Sequence, residues 1–286
     1  MVYALIALGY TMVYGVLQLI NFAHGEIFMV GAYLALTVIG LMGALFGPVS
    51  LWVLLPCVFI FSMAGCALLG ALIEKTAYRP LRGSPKLTAL ISSIGVSFFL
   101  QNTVMLLYGS KEKNMPEILP AWHLDAGGVT ISLVQGIIFV MAVGLMLLLT
   151  WFVKNTRLGK AMRASAENAE AASLMGISVG RVIRVTFMIG SALAAVGGAL
   201  FAMNYGSINF HDGYLAGIKA FTAAVFGGIG SIPGAMIGGL LLGVFEGLGA
   251  GYISSEWKDV FAFVLLIAVL LFKPSGLLGE NVPEKV

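Results

Sequence analysis

Nine blocks of apolar residues run through this 286-residue chain, and the two longest charged stretches between them are basic. Blocks of about 20 apolar residues match the hydrocarbon core of a bilayer, roughly 30 Å thick. Hydrophobic residues make up 59% of the sequence and charged residues 10%, against roughly a quarter charged in a soluble domain. Lipid is therefore the solvent for most of the surface, and function has to sit at helix interfaces and in loops.

The candidate spans run approximately Val2 to Ile20, Ile27 to Phe46, Leu51 to Ile73, Leu87 to Tyr108, Ile131 to Val153, Val185 to Tyr205, Tyr214 to Phe226, Ala235 to Ile253 and Val260 to Phe272. The seventh and ninth are short. At ~1.5 Å rise per residue each covers only ~20 Å, so each extends through its flanks or is re-entrant. The expected fold is an all-α integral membrane bundle of about eight to ten helices, forming one domain over residues 1–286.

Orientation follows from Lys and Arg, which stay on the cytoplasmic side of short loops. Of 16 such residues, Lys75, Arg79, Arg82 and Lys86 follow the third span. Lys154, Arg157, Lys160, Arg163, Arg181 and Arg184 follow the fifth, and Lys273 and Lys285 follow the ninth. With alternating spans these share one side, leaving Lys111, Lys113, Lys219 and Lys258 opposite. The N-terminus is then expected outside and the C-terminus in the cytoplasm. No basic n-region opens the chain, so no cleavable signal is expected, and the first helix is read as lacking part of its flank. Cys57 and Cys66 lie ~13 Å apart along one helix, too far to bridge.

The basic segment at 154–184 divides five spans from four. Arg157, Lys160 and Arg163 recur at helical spacing. Next, Asn168 is a good helix cap, Glu170 puts negative charge in a first turn, and Gly176 is a natural stop. The result is a short helix in which Ala171, Leu174 and Met175 share an apolar face. So short a helix needs a surface to dock on, either this chain or a soluble partner.

Glu170-Ala171-Ala172, three residues, then Gly176 resembles the EAA-x3-G pattern of ABC importer permeases. The later Ile and Leu-Pro of that pattern are replaced around Ile183, Arg184 and Val185, a departure that suits the larger-span (type II) class rather than the maltose type. Asn21-Phe22-Ala23-His24-Gly25-Glu26, Thr156 to Ala164 and Gly227 to Ala235 are similar to motifs of the high-affinity branched-chain amino acid permease family. The resemblance implies an inner-membrane subunit that moves Leu, Ile or Val inward, with no cofactor and no enzymatic activity of its own. It implies a second permease subunit, two cytoplasmic ATPases that bind ATP and Mg, and an extracytoplasmic binding protein docking chiefly on Gly109 to Thr130. Glu170, Ala171, Ala172, Leu174, Met175 and Gly176 would couple to the ATPase. No nucleic acid is expected among the partners. The chain carries no G-x4-G-K-[ST] phosphate loop. Urea, short amides and other amino acids remain open as substrates, as does an ion-coupled secondary transporter.

Polar groups inside apolar spans mark pathways or buried pairs. Asn21, His24, Glu26 and Glu246 are the translocation candidates. Glu26 could equally be a carboxylate at a cytoplasmic helix N-terminus, and Glu246 a structural hydrogen-bonding group. Gly239, Gly243, Gly247 and Gly251 recur every four residues and are read as a packing stripe, the alternative being a smooth wall for substrate. Gly190, Ala194 and Gly198 repeat the pattern. Gly-containing spans after breaks at Gly25 and Gly227 hint at internal duplication. Gly176 to Gly180 is a literal G-x-S-x-G without the strand-to-helix turn of a nucleophile elbow, and three scattered His give no zinc site.

Overall fold

The structure, a computed structural model, describes residues 1–120, 122–126, 129–273 and 275–279. Lys285 and part of the expected docking loop lie outside the described residues. Each apolar block forms one helix: α1 (Val2–Leu17), α2 (His24–Phe46), α3 (Leu51–Ile73), α4 (Lys86–Tyr108), α5 (Leu133–Asn155), α8 (Val179–Tyr205), α9 (Asp212–Gly227), α10 (Ile232–Tyr252) and α11 (Lys258–Phe272). Two short helices, α6 (Arg157–Glu167) and α7 (Ala169–Leu174), stand between α5 and α8. Six of the helices are long and apolar enough to cross a membrane, with α3 continuing through irregular turns to Leu81. The protein is a multi-pass membrane protein. The shorter α1, α9 and α11 have 16, 16 and 15 residues.

The strands were not expected. β1 (Lys113–Asn114) pairs antiparallel with β4 (Ser207–Ile208), and β2 (His123–Ala126) with β3 (Val129–Ser132). Both pairs lie in the connections after α4 and α8, which fixes these connections on one face, here the hairpin face. The turn from α3 to α4 and the α6–α7 segment make up the opposite, basic face.

Helices α1 and α8 form the centre and run antiparallel: Gly190 meets Gly9 and Val13, while Gly197 meets Leu5 and Ile6. Small residues permit that approach, as the spacing of Gly190, Ala194 and Gly198 implied. The other helices are arranged around this pair with a two-fold regularity. α3 packs on α8 as α10 packs on α1; α2 packs on α8 as α9 packs on α1; α3 covers α2 as α10 covers α9; and α4 leans on α2 as α11 leans on α9. The chain is thus an inverted repeat, α1–α4 against α8–α11, with α5 to α7 between.

A matched pair of turns makes the repeat explicit. Gln18 to Glu26 reads QLINFAHGE and Gly206 to Tyr214 reads GSINFHDGY, so Ile, Asn, Phe and Gly recur in register. Gln18 (φ 51°) and Gly206 (φ 72°) both end a helix in the left-handed region, which satisfies the last carbonyls of α1 and α8. Asn21 Oδ1 accepts from the Ala23 amide at 3.1 Å, and Asn209 Oδ1 accepts from that of His211 at 3.1 Å. The Asn21 and Asn209 carbonyls then accept from His24 and Asp212, the first residues of α2 and α9. Backbone that breaks inside a bilayer must find such internal partners, and Asn supplies them two residues on. The duplication expected between Gly25 and Gly227 is corrected: Gly25 corresponds to Gly213.

Candidate functional site

Both turns return the chain into the bundle instead of ending at a membrane surface. His24 fills the space beside Gly9, halfway along α1, and Tyr10 meets its ring edge-on at 4.6 Å. The first turns of α2 and α9 meet there. A Cβ on Gly25 would overlap the carbonyl oxygen of Gly213, and a Cβ on Gly217 would lie 2.9 Å from Gly25 Cα. Glu26, in the first turn of α2, is 1% exposed within the bundle and accepts from Ser97 of α4 at 3.2 Å. Asn21 also accepts from the Tyr78 hydroxyl at 3.0 Å. The structure thus groups Asn21, His24 and Glu26 as buried residues at the crossing of the two halves.

Glu246 is elsewhere, against Tyr3 at the start of α1. Its Oε1 accepts from the Tyr3 hydroxyl at 3.2 Å and from Lys219 Nζ at 2.7 Å, with Lys258 Nζ 3.4 Å away. Lys219 also reaches Asp259 at 2.6 Å. A carboxylate in an apolar helix costs several kcal/mol unless paired, and two ammonium groups pair this one. Lys219, counted from sequence with the residues of the outer side, lies within α9 and is buried. Beside this cluster a cavity of about 820 Å³ opens, with Phe139, Val140 and Phe201 as apolar walls and Glu246, Lys258 and Asn204 among its polar lining.

The packing stripe on α10 is correct only in part. Gly239 packs against Ala4, but Gly243, Gly247 and Gly251 have no atom within 4 Å of an added Cβ. Gly243 and Gly247 instead line the cavity.

A third buried carboxylate escaped the sequence reasoning. Glu74, just after α3, is fully buried, paired with Arg82 and, at 3.4 Å, with Arg184 of α8. Its signal was present: an acidic residue at the end of an apolar span, followed by basic residues.

On the basic face, α6 seats its buried Met162 and Gly159 on the bundle and leaves Arg157, Lys160 and Arg163 exposed. Asn168 caps α7 by accepting from the Ala171 amide at 2.9 Å. Ala172 is the buried anchor, while Leu174 and Met175 are 85% and 83% exposed. Gly176 takes φ +83° with open space around it. Leu174 and Met175 thus form an exposed apolar tip on an anchored two-helix bracket.

The sequence comparisons agree with this arrangement over the whole chain. Residues 1–270 match the family model described as the permease component of the branched-chain amino acid transport system. The chain is 52% identical to the high-affinity branched-chain amino acid transport system permease protein BraD of Pseudomonas aeruginosa, covering 99% of this chain and 94% of that one. It is 49% identical to LivH of Escherichia coli, of the same description, over 99% and 93%. A probable branched-chain amino acid permease of Methanocaldococcus jannaschii is 29% identical over 97% and 88%. No solved structure matches. With a helical membrane bundle, a bracket exposed on its basic face and a match that runs nearly end to end, the chain belongs to the branched-chain amino acid transport permease family.

Proposed function

We propose that this chain is the membrane permease of an ABC importer for branched-chain amino acids, working in the inner membrane with its N-terminus outside and its basic face in the cytoplasm. The single observation that carries the reading is the near-full-length identity of about half to relatives named for that transport. The positive charge of the α3–α4 turn and of α6 supports the orientation. Two ATPases hold ATP and Mg; one docks on the exposed Leu174 and Met175 of this chain, the other on a second permease subunit. Closure of the ATPase dimer pushes α7, and α6, packed on α1, α5 and α8, transmits the movement to the centre of the bundle. The substrate arrives from a binding protein on the hairpin face.

The test is purification from native membranes followed by reconstitution. The expected result is a complex containing ATPases that takes up leucine, isoleucine or valine only with ATP inside and loaded binding protein outside. Uptake by this chain alone in a proton gradient would point to a secondary transporter, and uptake of urea or short amides in place of leucine would move the substrate within the family.

A further inference from the structure

Glu74 and Glu246 occupy related places in the inverted repeat. Each lies at or near the end of the third helix of its half, α3 or α10. Each is paired with a cation at the junction to the fourth helix, Arg82 in one half and Lys258 in the other. Each is also bonded to the first helix of the opposite half, Glu74 to Arg184 on α8 and Glu246 to Tyr3 on α1. Because the halves are inverted, one cluster closes the basic face and the other the hairpin face.

The two clusters share an asymmetry of exposure. The carboxylates are 0% and 3% exposed, whereas Arg82, Arg184 and Lys258 are 33%, 44% and 40% exposed. Arg82, Arg184 and Lys258 can swing into water, whereas Lys219, 8% exposed, stays with Glu246, and the carboxylates cannot leave the bundle without their helices. A buried carboxylate deprived of its partners is strongly unfavourable, so movement of the third helix of one half away from the first helix of the other has to admit water or new partners. Between the clusters lie the tight glycine contacts of Gly25 with Gly213 and Gly217, where little relative movement fits.

We propose that the two carboxylate clusters are paired latches of the transport cycle, Glu74 holding the cytoplasmic face closed and Glu246 the outer face, released one at a time. This rests on the importer reading and orientation above. Both latches are closed in the described structure. Opening outward parts α10 from α1 and frees Lys258; opening inward parts α3 from α8 and frees Arg184. The buried ring of contacts around Gly25 serves as the fulcrum.

The test uses the complete reconstituted complex with Cys57 and Cys66 replaced. Single reporters, Ala262→Cys on α11 and Ser93→Cys on α4, are both buried positions of the native chain. Weakening the outer latch by Lys258→Gln is expected to raise labelling at position 262 by an impermeant maleimide roughly tenfold, leaving position 93 unchanged. Arg184→Gln is expected to do the converse from the cytoplasmic side. The exposed cations are chosen because Glu74→Gln and Glu246→Gln could disturb assembly. If either variant moves both reporters, neither reporter or the wrong one, the latches are overturned. ATP-driven leucine uptake by the unmodified complex tests the importer reading separately, so a complex that transports but whose reporters do not respond one face at a time removes the latches alone.

Discussion

At Gly25 and Gly213 a single methyl group decides whether the halves of the bundle can meet. Either residue replaced by Ala places a Cβ in the other's backbone, and overpacking of this kind costs about 1–3 kcal/mol. Gly25→Ala and Gly213→Ala should therefore lower the thermal unfolding midpoint of the purified protein, whereas Gly40→Ala, which meets nothing, should not. An unchanged midpoint in both variants would show that the helices separate freely there. Gly176 makes the opposite case: its surroundings are empty, but its φ of +83° is unfavourable to a side chain. Gly176→Val should cost about 1–2 kcal/mol locally and redirect Leu174 and Met175. The expected phenotype is a normally inserted permease that fails to stimulate its ATPase when loaded binding protein is added; full stimulation would remove α7 from the coupling path. The Asn168 cap and the Gly176 stop were legible because capping is local, decided within a few residues. The Gly25 to Gly213 contact was not, since it joins distant residues; its trace lay in the repeated Ile-Asn-Phe-x-x-Gly.

Among the elements, α10 shows how a sequence period can be right and its meaning only partly so. Four glycines at equal spacing define one face, but among the described residues only Gly239 packs there on α1, at Ala4. Gly239→Ala should destabilise by about 1–3 kcal/mol by pushing into Ala4. Gly243→Ala and Gly247→Ala should be neutral or stabilising by up to about 1 kcal/mol, because Ala favours the helix and nothing obstructs it. Equal loss in all three, measured by unfolding in detergent, would restore the continuous packing stripe. Helix α9 tests the buried pair. Lys219→Met strips Glu246 of its closest cation, and breaking such a pair typically costs about 3–5 kcal/mol; Lys258, still within reach, should hold the loss near the lower end. The double variant Lys219→Met with Glu246→Leu should recover much of the stability, since the charges left unpaired, Asp259 and Lys258, are 48% and 40% exposed and keep their contact with water. Failure to recover would mean that the polar contacts to Tyr3 or Asp259 matter more than the charge. The pairing of Lys219 was not legible in the sequence, because counting basic residues by side cannot recognise a lysine neutralised within a helix.

For the whole molecule, the nine blocks were legible because a bilayer demands length and apolarity from every crossing, a constraint that each block meets or misses on its own. The inverted architecture follows from a count that no single block reveals. Helices α1 to α5 cross five times, so α8 sets out from the face opposite to the one where α1 began, and two halves of similar build are forced to run in opposite directions. That couples the topology to the repeat: the α3–α4 turn and α6 must share a face, while the β1 and β4 connections share the other. In intact cells, Arg82→Cys and Lys160→Cys should be protected from an impermeant thiol reagent, and Lys113→Cys should react. Reaction at both 82 and 160 with protection at 113 would invert the whole molecule but keep its repeat, exchanging the faces that the Glu74 and Glu246 latches close. Protection at only one of positions 82 and 160 would mean an odd number of crossings between them, and then the two halves could not be inverted copies at all.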